Sequence, residues 1–204
     1  MTKANHLFIS YRHDDGGHAG RLYDHLKRAF SAPAVYYDTA RLEGGNDYRA
    51  ELDRAVRTAR ACLAVVGQHW LSESNRARLH GGEEDVLRNE LLTALECAAA
   101  DARYGLVQVL AGGAQPLATT DLPPALGGLS NRQAHRLYDE YYEHCVEELI
   151  DLLERKYGMR RRTGITETMQ LADLPDDPAQ LAGLLALISR KLQAGTTPEA
   201  RDPQ

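Results

Sequence analysis

Glu90 is the carboxylate in this sequence whose surroundings offer most to chemistry. It falls at the edge of an apolar helical stripe, with Val86 and Leu87 one turn before it and Thr93 and Ala94 one turn after. A carboxylate there is half desolvated. It is either a solvated flank residue or one of the perturbed carboxylates that gather at functional sites.

A second group follows the first apolar run: Arg12, His13, Asp14 and Asp15, then Gly16 and Gly17. Backbone amides at a helix start favour anions, and Arg12 adds a planar fork suited to phosphate. Asp14 or Asp15 could equally be an ordinary helix cap. The glycines match neither a dinucleotide fingerprint nor a phosphate loop. The stretch from Asp38 to Asn46 is too long for a minimal turn, and its Gly44 and Gly45 allow backbone shapes other residues avoid. It suits a lid or an interaction loop, or a plain helix entry capped by Asn46. Trp70 could stack on a planar ring or simply anchor a loop. His18 and His25 lie seven apart with no carboxylate or cysteine to complete a metal set. Cys62, Cys97 and Cys145 are odd in number and lack metal-like spacing. No Ser-His-Asp or Cys-His arrangement can be argued, and no metal or cofactor is expected.

These residues sit between segments of alternating periodicity. Residues 6–11, 34–37, 61–66, 105–110 and 134–137 read as strands, and the third is apolar without alternation, as a strand covered on both faces should be. Helical spacing links Ala19, Leu22, Leu26 and Phe30, then Leu52, Ala55, Val56 and Ala59. It links Leu87, Leu91, Ala94 and Ala98 over about residues 84–101, then Tyr142, Val146, Leu149, Ile150 and Leu153 over about 139–156. Residues 67–82 read as a long polar loop. Strands alternating with helices predict an α/β fold: a flavodoxin-like five-stranded parallel sheet, order 2-1-3-4-5, with helices on both faces. Ligands in such sheets bind beyond the C-terminal strand ends.

The chain has 204 residues, 43% of them hydrophobic and 26% charged, enough for one packed domain and an appendage. A net charge of −5 argues against nucleic-acid binding. No apolar run approaches the ~20 residues of a membrane span, and the N-terminus lacks a signal-like stretch. A cytoplasmic, reducing setting is expected, with no membrane partner. The basic run at 155–162 reads as a solvated helix end. Beyond it, a polar linker leads to a short amphipathic helix at about 178–193 with Leu181, Leu184, Leu185, Leu187 and Ile188 on its face. The expected division is residues 5–157 as the domain and 158–204 as a tail for assembly or partner docking, with a disordered end.

Four segments in order, FISYRHDDGGHAGRLYDHL, VYYDTARLEGGNDYRAELDRAV, CLAVVGQHWL and DVLRNELLTAL, resemble a Toll/interleukin-1 receptor (TIR) domain of bacterial type over about residues 5–157. The resemblance implies the flavodoxin-like fold that the periodicity predicts independently. In the branch of this family that cleaves NAD⁺ at the nicotinamide–ribose bond, a glutamate in the segment reading RNELLTAL here is catalytic, which maps onto Glu90. Ligand-lining positions map onto Tyr11, Arg12 and His13. The BB loop maps onto Asp38 through Asn46, with Leu42, Gly44 and Gly45. Enzymatic members usually carry an aromatic residue where this chain has Val86, and Trp70 could supply that surface instead.

NAD⁺ is then a substrate, not a cofactor. Ordinary glycosidases need two carboxylates because an alkoxide leaving group must be protonated. Nicotinamide leaves as a neutral pyridine, so a single carboxylate that stabilises the ribosyl cation is enough. Glu90 would do this, Arg12 with the helix start would hold the pyrophosphate, and Tyr11 or Trp70 would pack on nicotinamide. Water capture gives ADP-ribose, and an internal nucleophile gives a cyclic ADP-ribose. The resemblance implies a role in bacterial anti-phage immunity, with homotypic TIR association and a defence partner reached through the tail. The alternative it leaves open is a non-catalytic adaptor acting by homotypic association. A response-regulator role would need an aspartate after the third strand, where VVGQHW stands.

Overall fold

Burial on both faces explains the central strands. In the computed structural model, which describes residues 6–37, 46–81 and 84–162, every residue of β1 (Leu7–Tyr11), β3 (Ala61–Val66) and β4 (Gly105–Leu110) is buried. The edge strands β2 (Val35–Tyr37) and β5 (Ala134–Arg136) are shorter and partly exposed. The sheet order is β2-β1-β3-β4-β5, all neighbours parallel, as predicted. Leu7 to Tyr11 pair in step with Ala61 to Val65.

Successive strand residues point to opposite faces, so each strand feeds two cores. Leu7, Ile9, Tyr11, Leu63 and Val109 pack with α1 (Gly16–Phe30) and α5 (Tyr142–Tyr157). Phe8, Cys62, Ala64, Val66 and Leu110 pack with α2 (Asn46–Thr58) and α4 (Val86–Ala100) on the other face. The stretch expected as a long polar loop also contains α3 (Glu73–Leu79), capped by Ser72 and fixed by buried Asn75 and Leu79. Seven residues with so few apolar positions carry no helical period to detect.

The chain divides into two compact units, residues 1–162 and 163–204. The first reaches past the Tyr157 boundary expected from the sequence. Gly158 adopts the left-handed conformation that ends α5, and Met159 turns back to be buried. Arg161 then pairs with Glu147, Asp151 and Glu154 on α5, so the basic run is not merely a solvated end. The tail helix expected at 178–193 lies outside the described residues. Among the described residues, no helix is long and apolar enough to cross a membrane.

Candidate active site

Ser10 is the one polar residue of β1, and its side chain faces α4. There its Oγ donates to Glu90 Oε2 at 2.6 Å. Both residues are buried, Glu90 at 5% exposure. The first turns of α4 therefore stand over the C-terminal half of β1, at the strand ends where ligands bind in such sheets.

Glu90 lines a cavity of about 210 Å³ between α2 and α4, walled by Leu52 and Val56 on one side and by Val86 and Thr93 on the other. Arg49 and Glu84 pair at 2.6 Å on its lining, both well exposed to solvent. Asp53 is a second carboxylate in the wall. It accepts from Thr93 Oγ1 at 2.9 Å and from Arg57 Nε at 2.8 Å. Burial works to raise the Asp53 carboxyl, but the hydrogen bonds from Arg57 and Thr93 outweigh it and hold the group below the ordinary carboxylate range. Cys62 lies beneath. Desolvation, and then the nearby Glu90 charge, pushes its thiol well above the usual value, so it stays protonated and is no nucleophile.

Arg12 is placed differently from the expected phosphate grip. Its two terminal nitrogens bind the two carboxylate oxygens of Asp85, each at 2.7 Å, and the pair is buried. Asp85 also caps α4, accepting from Arg88 N at 3.4 Å. Asn75 completes the cluster: its Nδ2 donates to Asp14 Oδ2 and to the His69 carbonyl. An adjoining polar cavity of about 340 Å³ is lined by Arg12, His13, Asp14, Arg78, Glu84 and Asp85. Three carboxylates face two guanidiniums there, so its field does not favour a pyrophosphate, and the Arg12 fork is already engaged. Val86 lines both cavities and forms part of the wall between them.

Tyr11 points away from Glu90. As the next residue along β1 from Ser10 it joins the opposite core, stacked on Tyr37 with ring centroids 5.1 Å apart. It cannot pack on a ring held over Glu90. Trp70 is 1% exposed and serves as an anchor in the α2/α4 core, with the Arg12 guanidinium 5.6 Å from its ring centroid. It offers no free face for stacking. His13 is exposed on the lining of the polar cavity. Asp38, Leu42, Gly44 and Gly45 lie outside the described residues. Thus the structure brings together Glu90 and Val86, sets Arg12 and His13 in the neighbouring cavity, and removes Tyr11 and Trp70 from both.

Ser10, Asp85, Asn75 and Asp53 were not singled out from the sequence. Asp85 had a usable signal, a carboxylate immediately before an apolar-periodic helix. Ser10 had a weaker one, a lone hydroxyl in an otherwise apolar strand.

The sheet order, the helices on both faces and a carboxylate-walled cavity at the strand ends define a flavodoxin-like α/β protein with a buried acidic site. The model of the TIR domain family matches residues 7–153, and the chain belongs to that family. Among solved structures, the TIR domains of the activated Roq1 resistosome directly recognizing the pathogen effector XopQ are similar. The TM-score is 0.53 at 16% identity, over 72% of this chain and 98% of that one. At that identity the likeness shows the fold alone. A metazoan TIR-STING receptor from C. gigas in complex with 2′,3′-cGAMP matches 72% of this chain and 40% of its own, at 19% identity and a TM-score of 0.39. Comparison with curated proteins gives no significant match.

Proposed function

We propose that this TIR domain cleaves NAD⁺ between nicotinamide and ribose, with Glu90 as its catalytic carboxylate. The observation that carries the proposal is a buried glutamate on the wall of a cavity, held by a hydroxyl from the neighbouring strand. The cavity is smaller than the ~300–1,000 Å³ of pockets that enclose whole ligands. It suits one end of a dinucleotide, the nicotinamide riboside.

As the glycosidic bond breaks, its electron pair leaves with nicotinamide and positive charge grows on the ribose. An ionised Glu90, itself 5% exposed, stabilises that charge better than a fully water-screened carboxylate would. No proton has to be delivered to the leaving group. Leu52, Val56 and Val86 give the cavity an apolar wall beside the cation. Capture by one water yields ADP-ribose and a proton, and capture by a nucleophile of the same molecule yields a cyclic ADP-ribose.

Membership of the TIR family supports a place in a defence response, with homotypic association completing the site; the tail expected at residues 158–204 would be the route to a partner. The exposed Tyr138 and Tyr141, ahead of and at the start of α5, favour a second reading in which the domain acts by association alone.

Incubation of the full chain with NAD⁺, followed by chromatography of the products, separates the two. Under the enzymatic reading nicotinamide is released, Glu90→Gln folds normally, and its turnover falls to background. Full turnover by folded Glu90→Gln would falsify the assignment.

A further inference from the structure

Ser10 is buried in a strand whose other four residues are apolar and lie within a parallel sheet. A hydroxyl in that position is destabilising unless it is hydrogen-bonded. Its partner is Glu90, eighty residues away in the chain, at 2.6 Å. That separation is the one expected of a hydroxyl donating to a charged oxygen. The strand backbone carrying Ser10 is fixed by pairing to Ala64 of β3, and the residue is 1% exposed, so the hydroxyl projects from a fixed point in a packed interior. A carboxylate that must stabilise a short-lived cation has to be ionised and held in one rotamer before the bond breaks.

We propose that Ser10 is the positioning residue of this site, its hydroxyl fixing one oxygen of Glu90 so that the carboxylate meets the developing ribosyl cation in one orientation. The assignment rests on the catalytic reading of Glu90 and adds a second residue to it. Ser10 does not touch substrate and acts through Glu90. The hydrogen bond also favours the charged carboxylate over the neutral acid. Among the described residues, Arg49 and Asp53 from α2 and Glu84 ahead of α4 share the cavity lining with Glu90, and Cys62 of β3 feels its charge. Each is retained when Ser10 alone is changed.

The test compares Ser10→Ala and Ser10→Thr with the parent full-length chain. Ser10→Ala removes the donor and little volume, and Ser10→Thr keeps a hydroxyl on a β-branched side chain suited to a strand. With NAD⁺, Ser10→Ala is expected to lower kcat about ten- to a hundredfold, the usual effect of losing one hydrogen bond to a charged group, with KM changed less than about twofold. The acid limb of its kcat/KM profile moves to higher pH. Ser10→Thr restores most of kcat and the original limb. A separate measurement needs no turnover: the carboxyl carbon of ¹³C-labelled Glu90, assigned by its loss in Glu90→Gln, is titrated by NMR. Its midpoint rises in Ser10→Ala and returns in Ser10→Thr.

An unchanged midpoint in folded Ser10→Ala overturns the proposal, and so does an unchanged acid limb. If the parent chain releases no nicotinamide, the enzymatic reading fails, while the Glu90 titration still decides whether Ser10 controls that carboxylate.

Discussion

Arg12 and Asp85 face each other through two parallel contacts of 2.7 Å, and their side chains are 6% and 3% exposed. The pair joins the end of β1 to the cap of α4, the helix that carries Glu90. Removing one partner leaves the other charge buried and uncompensated, which typically destabilises by about 3–5 kcal/mol. Arg12→Ala should therefore melt about 6–20 °C below the parent. Combining Arg12→Met with Asp85→Leu should recover most of the loss, less about 1 kcal/mol for the missing cap. Trp70, the single tryptophan, is buried beside the pair and reports unfolding by fluorescence. An Arg12→Ala protein of parental stability with a raised KM for NAD⁺ would return Arg12 to a substrate-holding role.

Two glycines make opposite predictions. A Cβ on Gly67, the buried residue that follows β3, would lie 2.2 Å from Asp15 Oδ1. Gly67→Ala should lower stability by about 1–3 kcal/mol, as overpacking does. A Cβ on Gly17, in the exposed first turn of α1, meets nothing within 4 Å. Gly17→Ala should raise stability by about 0.5–1 kcal/mol through helix propensity and a stiffer unfolded chain. Chemical denaturation of both variants checks the sign of each change.

The end of the first unit can be located by truncation. A chain stopping after Arg162 keeps Met159 and the Arg161 contacts to α5, and its melting transition should match that of the full chain. One stopping after Tyr157 loses the buried Met159, a change that typically removes about 2–5 kcal/mol. Equal melting temperatures for the two truncations would place the boundary at Tyr157 after all. Arg161→Ala alone should have a small effect, about 1 kcal/mol and less in high salt, because the group is partly exposed.

Asp53 supplies a pH dependence with a defined sign. Its carboxyl is held low in the folded protein in spite of the raising effect of burial, by hydrogen bonds from Arg57 and Thr93. The folded state then binds a proton less readily than the unfolded chain, whose carboxylate titrates near ~3.9. The contribution is fully present above that value and is lost as pH falls through the lower folded value. Between about pH 4.5 and pH 3 the parent should lose melting temperature more steeply than Asp53→Asn. Parallel curves for the two proteins would mean that the α2–α4 clasp makes no difference to acid stability.

Much of this architecture was legible from residue spacing. The run ACLAVV announced a strand covered on both faces, and Leu87, Leu91 and Ala94 marked the inward face of α4. Strand–helix alternation then left the order 2-1-3-4-5 as the natural topology. Glu90 was visible at the edge of that face because its neighbours at three and four residues are apolar or small. α3 was not visible, since its seven residues owe their helix to the Ser72 cap and to Asn75, whose partners come from Asp14 and His69.

By itself the sequence determined the five strands and the four longer helices, their order, and the family with its candidate carboxylate, because these follow from local periodicity and linear motifs. The tertiary structure alone decided which face of β1 meets α4. That choice placed Ser10 on Glu90 and Arg12 on Asp85, and turned Tyr11 toward α1 and α5. A period of two tells which residues share a face of a strand. It is silent on which helix covers that face, because the covering helix is set by strand order and crossover between segments more than seventy residues apart.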